Sequence, residues 1–253
     1  MLTKQRKQHI LEVLRREGQV VAKDLSQELG LSEDTIRRDL RELAQEGLLQ
    51  RVHGGALPVS PAIVNFSGRE EILQDEKAAI GKAAARLIKN GQVIILDGGT
   101  TAVQVARHLP RALKATIVTH SPRTALELID YPEIEILLIG GRLFKHSIVS
   151  VGAAAIEAIK HIRADIYFMG VTGVHPEAGA STGDLEEAYI KLALSKQAAE
   201  TIVLASREKL GTASQFVVTP LNEISGLIVE ESVPDEMLAP YRKLGLSVIK
   251  AGV

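Results

Sequence analysis

LSEDTIRRDLRELAQEGLLQRVHGG, residues 31–55, sets a helix and a glycine-ended hairpin side by side. Ser32 precedes a run of helical period, with Thr35 at its third position, the arrangement of a helix N-cap. At about 100° per residue, Leu40 and Leu43 fall within about 40° of Ile36 and define a buried face. Arg37, Arg41 and Arg38 then lie about 100°, 140° and 200° from Ile36, on the outward side. Gly47 stops the helix, and LLQRVHGGA alternates apolar and polar residues into Gly54-Gly55, as a short β-hairpin does.

Upstream, Ile10, Val13 and Leu14 form the apolar stripe of a first helix that Gly18 ends. A second short helix spans about Ala22 to Leu29, with Ala22, Leu25 and Leu29 on one face, and Gly30 stops it. Three helices followed by a hairpin make a winged helix-turn-helix, whose last helix enters the major groove of DNA. Arginine grips a guanine edge or clamps phosphate, and a helix N-terminus attracts phosphate by itself. The candidate DNA contacts are therefore Ser32, Thr35, Arg37, Arg38 and Arg41, with Arg51 and His53 on the wing for backbone or minor groove. The competing reading is an ordinary solvated face, in which Asp34, Asp39, Glu42 and Glu46 pair with the arginines at i,i+4.

Charge alone does not decide between them. The chain has 253 residues and a net charge of −1, and residues 1–57 carry ten basic against nine acidic side chains. Any claim on DNA rests on where the arginines point. No apolar run is long enough to span a membrane, the start MLTKQRKQHI is polar, and cysteine is absent. A cytoplasmic protein without disulfides is expected.

Residues 58–73 hold Pro58, Pro61 and Gly68 without sustained periodicity and read as a linker between a head at 1–57 and a second domain at 74–253. A helix is expected from about Gln74 to Lys89. Beyond it strands and helices alternate: QVIIL, ATIVTH, EILLIGG, ADIYFMGVTG, ETIVLAS, SGLIVE and LSVIK are the strand candidates. Several are continuous apolar runs, as in strands buried on both faces, so the fold class is α/β with a mainly parallel sheet and helices on both sides.

Asp97-Gly98-Gly99-Thr100-Thr101 follows a strand and opens a helix, a cradle for phosphate or a similar anion. It lacks the lysine-serine ending of a nucleotide P-loop and the third glycine of the dinucleotide fingerprint, so no nucleotide cofactor is expected. A tight turn with a threonine cap is the plainer alternative. Thr119, and Gly140-Gly141-Arg142, end two further strands on the same sheet edge, where α/β proteins bind ligands. Lys209 follows another strand. With Asp97 accepting hydroxyls and Arg142 and Lys209 neutralising phosphate, the set suits a small polyol phosphate. The seven histidines are scattered, without metal-ligand spacing, and no metal site is expected.

Residues 6–56 resemble the winged helix-turn-helix of the DeoR family of bacterial transcription regulators. Its signature S-x-x-T-I-R-R-D-L-x-x-L-x-x-x-G-L-x-x-R-x-H-G-G-A is matched at Ser32, Thr35, Ile36, Arg37, Arg38, Asp39, Leu40, Leu43, Gly47, Leu48, Arg51, His53, Gly54, Gly55 and Ala56. DGGTT, the IGG after an apolar strand, G-V-T-G-V, E-A-x-x-K at Glu187–Lys191 and REKLG resemble the sensor domain of that family, whose fold is like that of ribose-phosphate isomerase. Thr172 stands where many members have an acid, and Ser206-Arg207-Glu208-Lys209 where they read D-S-S-K.

The resemblance implies a repressor of carbohydrate genes, not an enzyme, acting as a homodimer or homotetramer on a double-stranded operator. A phosphorylated sugar in the C-terminal domain would control it. The alternative is a sugar-phosphate isomerase with an appended head, for which Thr172 and Ser206 stand where acids would help.

Overall fold

The computed structural model describes residues 2–60 and 65–252. Helix α1 spans Thr3–Glu17, α2 Ala22–Leu29 and α3 Glu33–Gln45; strands β1 (Val20–Val21), β2 (Gln50–Val52) and β3 (Gly55–Leu57) form an antiparallel sheet in the order β1-β3-β2. The Ser32 hydroxyl accepts the Thr35 N–H at 3.3 Å, so α3 starts where the cap places it. Ile36, Leu40 and Leu43 are buried against Ile10, Val13, Leu14 and Leu25. The two wing glycines differ in purpose. Gly54 turns the hairpin at a φ of 80°, while a Cβ on Gly55 would lie 1.8 Å from the Val20 carbonyl oxygen.

One charge of α3 is not on the solvated face where the pairing pattern puts it. Asp39 has 0% exposure and receives Arg6 of α1 in a two-pronged grip, with Arg6 Nη2 3.0 Å from Oδ1 and Nε on Oδ2. Asp39 lies about 60° from Ile36, beside the core stripe, so its carboxylate is drawn inward. Lys7 adds contacts to Glu46 at 2.8 Å and Glu42 at 3.2 Å. Helix α1 thus fixes the angle of α3 through charge as well as through packing.

Of the stretch 58–73, Val59 bridges to Ala213, and Phe66–Glu70 form a short helix, α4, with Phe66 buried; residues 61–64 of this stretch lie outside the described residues. Helix α5 covers Gln74–Ala85. The seven strand candidates become the seven strands of one sheet: β4 (Val93–Leu96), β5 (Ala115–Thr119), β6 (Ile134–Leu138), β9 (Ala164–Gly170), β12 (Ala198–Leu204), β14 (Gly226–Glu230) and β15 (Ser247–Ala251). Their order is β15-β14-β12-β9-β4-β5-β6 and every pairing is parallel. Helices α5 and α6 (Thr100–Arg107), with α7 (Pro122–Leu126), cover one face. The other carries α8 (Ala153–Ile159), α9 (Leu185–Ser195) and α10 (Asp235–Lys243).

Two small antiparallel units are additional to the expected strands. Strands β7 (Arg142–Phe144) and β8 (Val149–Val151) form a hairpin, and β10 (Gly173–His175), β11 (Gly179–Thr182) and β13 (Phe216–Thr219) a three-stranded sheet. The chain builds β4, β5 and β6 outward, then returns to lay β9 on the other side of β4. Connections after β4 and β9 therefore leave in opposite directions, and a crevice opens at their carboxyl ends.

The Arg6–Asp39 pair gives a stability prediction. Asp39→Ala leaves a buried guanidinium unpaired and is expected to cost the head about 3–5 kcal/mol. Arg6→Met combined with Asp39→Leu is expected to recover most of that loss. Urea unfolding followed by far-ultraviolet circular dichroism measures both; equal losses in the single and double variants would contradict the pairing.

Candidate functional site

The crevice between β4 and β9 is organised by a buried carboxylate. Asp97 has 0% exposure; its Oδ1 accepts the Gly98 N–H at 2.8 Å and its Oδ2 the Gly170 N–H at 2.6 Å. Lys191, brought in by α9, places Nζ 2.5 Å from Oδ2. Burial works against the charge on Asp97, yet the Lys191 ammonium and the Gly98 amide hold its pKa below the usual carboxylate range. Both oxygens are committed, so Asp97 is not the free acceptor of sugar hydroxyls that its place in DGGTT suggests. It stitches two strand ends and aims a lysine.

Around this stitch a pocket is lined by Gly98, Gly99, Thr100, Thr101, Gly170, Thr172, Glu187, Lys191, Lys209, Arg69 and Ser147, among others. Gly98 is obligatory, because a Cβ there would lie 2.0 Å from Val149 Cγ1. Helix α6 begins at Thr100 and turns its first N–H groups toward the pocket, where no intrahelical acceptor exists for them. The Thr101 hydroxyl is buried and makes no hydrogen bond. Lys209 is buried too, and among the described residues its ammonium makes no hydrogen bond or ion pair. Burial lowers the Lys209 pKa against the opposing pull of the neighbouring Glu208 carboxylate, and Arg69 and Lys191 push it down further. Glu187 is shifted upward by burial, and its Oε2 accepts the Ser147 hydroxyl at 3.1 Å. Unpaired donors and three crowded cations are what an anion of small size neutralises.

Not every expected residue reaches this pocket. Thr119 is fully buried and its hydroxyl accepts the Ser121 N–H, a turn contact. Gly140-Gly141-Arg142 follow the edge strand β6, two strands from the crevice, or about 10 Å away. There a Cβ on Gly141 would crowd the Val151 carbonyl, and the Arg142 side chain is 63% exposed, 3.9 Å from Glu186. These residues close a hairpin and do not line the pocket. Conversely Arg69, Ser147, Thr172, Glu187 and Lys191 line it. Glu187 and Lys191 had a signal in their i,i+4 spacing on an acid-capped helix, whereas Arg69 had none.

On the head, Arg38 and Arg41 are exposed and engage no acid among the described residues. Arg37 is exposed but bonded to Glu33 at 2.6 Å, the single i,i+4 ion pair of this face among the described residues. Ser32 is exposed and Thr35 half-buried, their hydroxyls 3.0 Å apart. Arg51 and His53 are exposed on the wing and line a cleft that His175, Glu177, Ala213 and Val217 close from the other side.

A helix-turn-helix with an open arginine ridge, joined to an α/β domain with a cation-lined crevice at its sheet edge, defines the class of two-part regulators that carry a reading head and a sensor. Residues 6–62 match the DeoR-like helix-turn-helix domain and residues 73–231 the DeoR C-terminal sensor domain, so the chain belongs to the DeoR family. It is 32% identical to the transcriptional regulator GolR of Listeria innocua, covering 96% of this chain and 97% of that protein. It is 34% identical to the transcriptional repressor GlcR of Bacillus subtilis, covering 90% and 88%. The glycerol-3-phosphate regulon repressor of Escherichia coli is 28% identical over 91% of this chain and 92% of its own. Among solved structures, ribose 5-phosphate isomerase of Methanocaldococcus jannaschii overlaps 54% of each chain at 22% identity and a TM-score of 0.40.

The crevice also carries a pH signature. His120 has 1% exposure, sits 3.5 Å from Asp97 and has no hydrogen bond at either ring nitrogen; burial lowers its pKa to about 4. The unfolded chain takes up this proton near 6.5 and the folded one only near 4. Between those values the unfolded state binds more protons, so His120 removes stability as pH falls through the window. Thermal melts at pH 7 and pH 5 are expected to show a larger acid-induced loss for the native chain than for His120→Asn. Equal losses would mean that His120 is not buried as the neutral form.

Proposed function

We propose that this protein is a sequence-specific DNA-binding repressor of carbohydrate-metabolism genes, released or engaged by a phosphorylated sugar bound in the β4–β9 crevice. The observation that carries the ligand class is the buried Lys209, whose ammonium has no hydrogen bond or ion pair among the described residues, lining one pocket with the α6 N-terminus and with the Thr101 hydroxyl, likewise unbonded among those residues. A phosphate satisfies all of these donors at once. The repressor sense is supported by relatives named as repressors, one of them for a glycerol 3-phosphate regulon. Glu187, with its raised pKa and its bond to Ser147, suits a sugar hydroxyl, because a carboxyl next to a neutral polyol both donates and accepts. The head acts in symmetric pairs, as half-site recognition requires, which calls for at least a dimer.

Arg38 and Arg41, open on the ridge, are the principal operator contacts in this reading, with Arg51 and His53 supporting from the wing. Arg38→Ala or Arg41→Ala is expected to weaken operator binding by about 1–3 kcal/mol for a base contact, or to lower the salt dependence by about one counterion for a phosphate contact. Titrations at two salt concentrations separate these cases, and undiminished binding by both variants would refute the assigned face.

A thermal-shift panel of sugar phosphates tests the sensor. The true effector at ~100 times its Kd stabilises by about 2.7 kcal/mol, a shift of several degrees, which Lys209→Gln is expected to abolish. Aldose–ketose interconversion by the purified protein, lost in Glu187→Gln, would instead favour an enzyme.

A further inference from the structure

We propose that Arg69, on the segment joining head to sensor, is itself a ligand of the anion, so that pocket occupancy is felt directly by the chain that carries the wing. This rests on the reading of the crevice as an anion site. Residue 69 falls between the stretches 6–62 and 73–231 that match the two family domains, yet it lines the crevice. Three contacts deliver it. Phe66 is buried and its N–H donates to the His146 carbonyl at 2.9 Å, the Asn65 side chain caps α4 through the Gly68 N–H at 3.0 Å, and Arg69 Nη2 donates to Ser147 Oγ at 3.3 Å.

The same segment is fastened a second time, at the loop that carries another cation of the pocket, Lys209. Val59, two residues after the wing strand β3, pairs with Ala213. Ala213 belongs to the short loop that begins with Lys209, and that loop is stiff. Thr212 Oγ1 donates to the Lys209 carbonyl at 2.9 Å, the Ser214 N–H to Ser181 Oγ at 2.9 Å, and the Gly211 N–H to the Tyr241 hydroxyl at 2.9 Å. A shift of Lys209 toward a bound anion is therefore transmitted to Val59, while Arg69 pulls on the far end of the same segment.

Without an anion, the buried Lys209 ammonium is repelled by both Arg69 and Lys191 in a desolvated space. With one, both fastenings tighten together. Ligand binding and head position then share one coupling free energy, the requirement for effector control at a distance.

Hydrogen exchange of the full-length protein, with and without inorganic phosphate, tests this alongside calorimetric titration. In the native chain phosphate is expected to slow exchange at residues 98–101 and 206–214, and also at Val59, Ser60 and Phe66–Glu70. Arg69→Gln is expected to bind phosphate about tenfold or more weakly, as the loss of a charged hydrogen-bond donor implies, and to lose protection at Val59, Ser60 and Phe66–Glu70. Arg69→Lys, which keeps the charge, is expected to fall between.

Protection confined to 98–101 and 206–214 in the native chain, or full affinity in Arg69→Gln, overturns the role of Arg69 and leaves the anion site standing. Absence of phosphate binding to the native chain removes both. Because the native exchange pattern decides by itself, a folding defect in a variant does not blunt the test.

Discussion

The sensor depends on one buried carboxylate at the place where its sheet changes direction. Asp97 holds the amides after β4 and at the end of β9 and takes the Lys191 ammonium from α9. A carboxylate with 0% exposure is tolerable only when such partners replace its water. That requirement locks together two strand ends and a helix of the opposite face. Part of what lines the crevice is fixed from this point: the α6 N-terminus begins three residues after Asp97, and the Lys191 ammonium is held at its carboxylate. A Cβ on Gly170 would lie 3.2 Å from Asp97 Oδ2, a tight contact that presses on the carboxylate.

The balance of charge in the crevice follows from that commitment. Lys191 has its counter-ion, and Lys209 and Arg69 line the same pocket as Glu187, which burial pushes toward its neutral form. Lys77, whose ammonium donates to the Arg69 carbonyl at 2.5 Å, is shifted down to about 8, first by burial and then by Lys209. A cluster of desolvated cations is stable at neutral pH only at a cost, which a bound phosphate offsets. In the proposed reading the site is strained in the direction of its ligand, and relief of that strain supplies the free energy for control of the head.

Much of this was legible in the sequence because its period is strong where burial is strongest. Seven apolar runs read as strands are the seven strands of the parallel sheet, and Ser32, Ile36, Leu40 and Leu43 lay out α3 with its cap. The antiparallel strands β10, β11 and β13 were silent because they are only three or four residues long, with no alternation to detect, and β10 and β11 each open on a glycine. Gly140-Gly141-Arg142 misled because the carboxyl edge of a sheet is wide. Strand order, which sequence does not display, decides which loops meet at the crevice. Arg69 was invisible for a different reason: a residue on a five-residue helix between two breaks in pattern carries no period, and tertiary contacts alone give it meaning.

The near-neutral head turns from a difficulty into part of the same logic. With ten basic and nine acidic residues in 1–57, attraction to DNA backbone is weak, and Glu33 already competes for Arg37. If Arg38, Arg41 and the wing make the contacts proposed above, binding depends on their being presented together, which makes affinity steeply sensitive to geometry. A strongly basic head would hold DNA whatever its orientation, and an effector would have to overcome that attraction. Here a coupling of about 1–3 kcal/mol, the usual size for linked sites, changes occupancy five- to 150-fold. The Arg6–Asp39 pair keeps the head rigid enough for so small a free energy to act on its position and not on its folding.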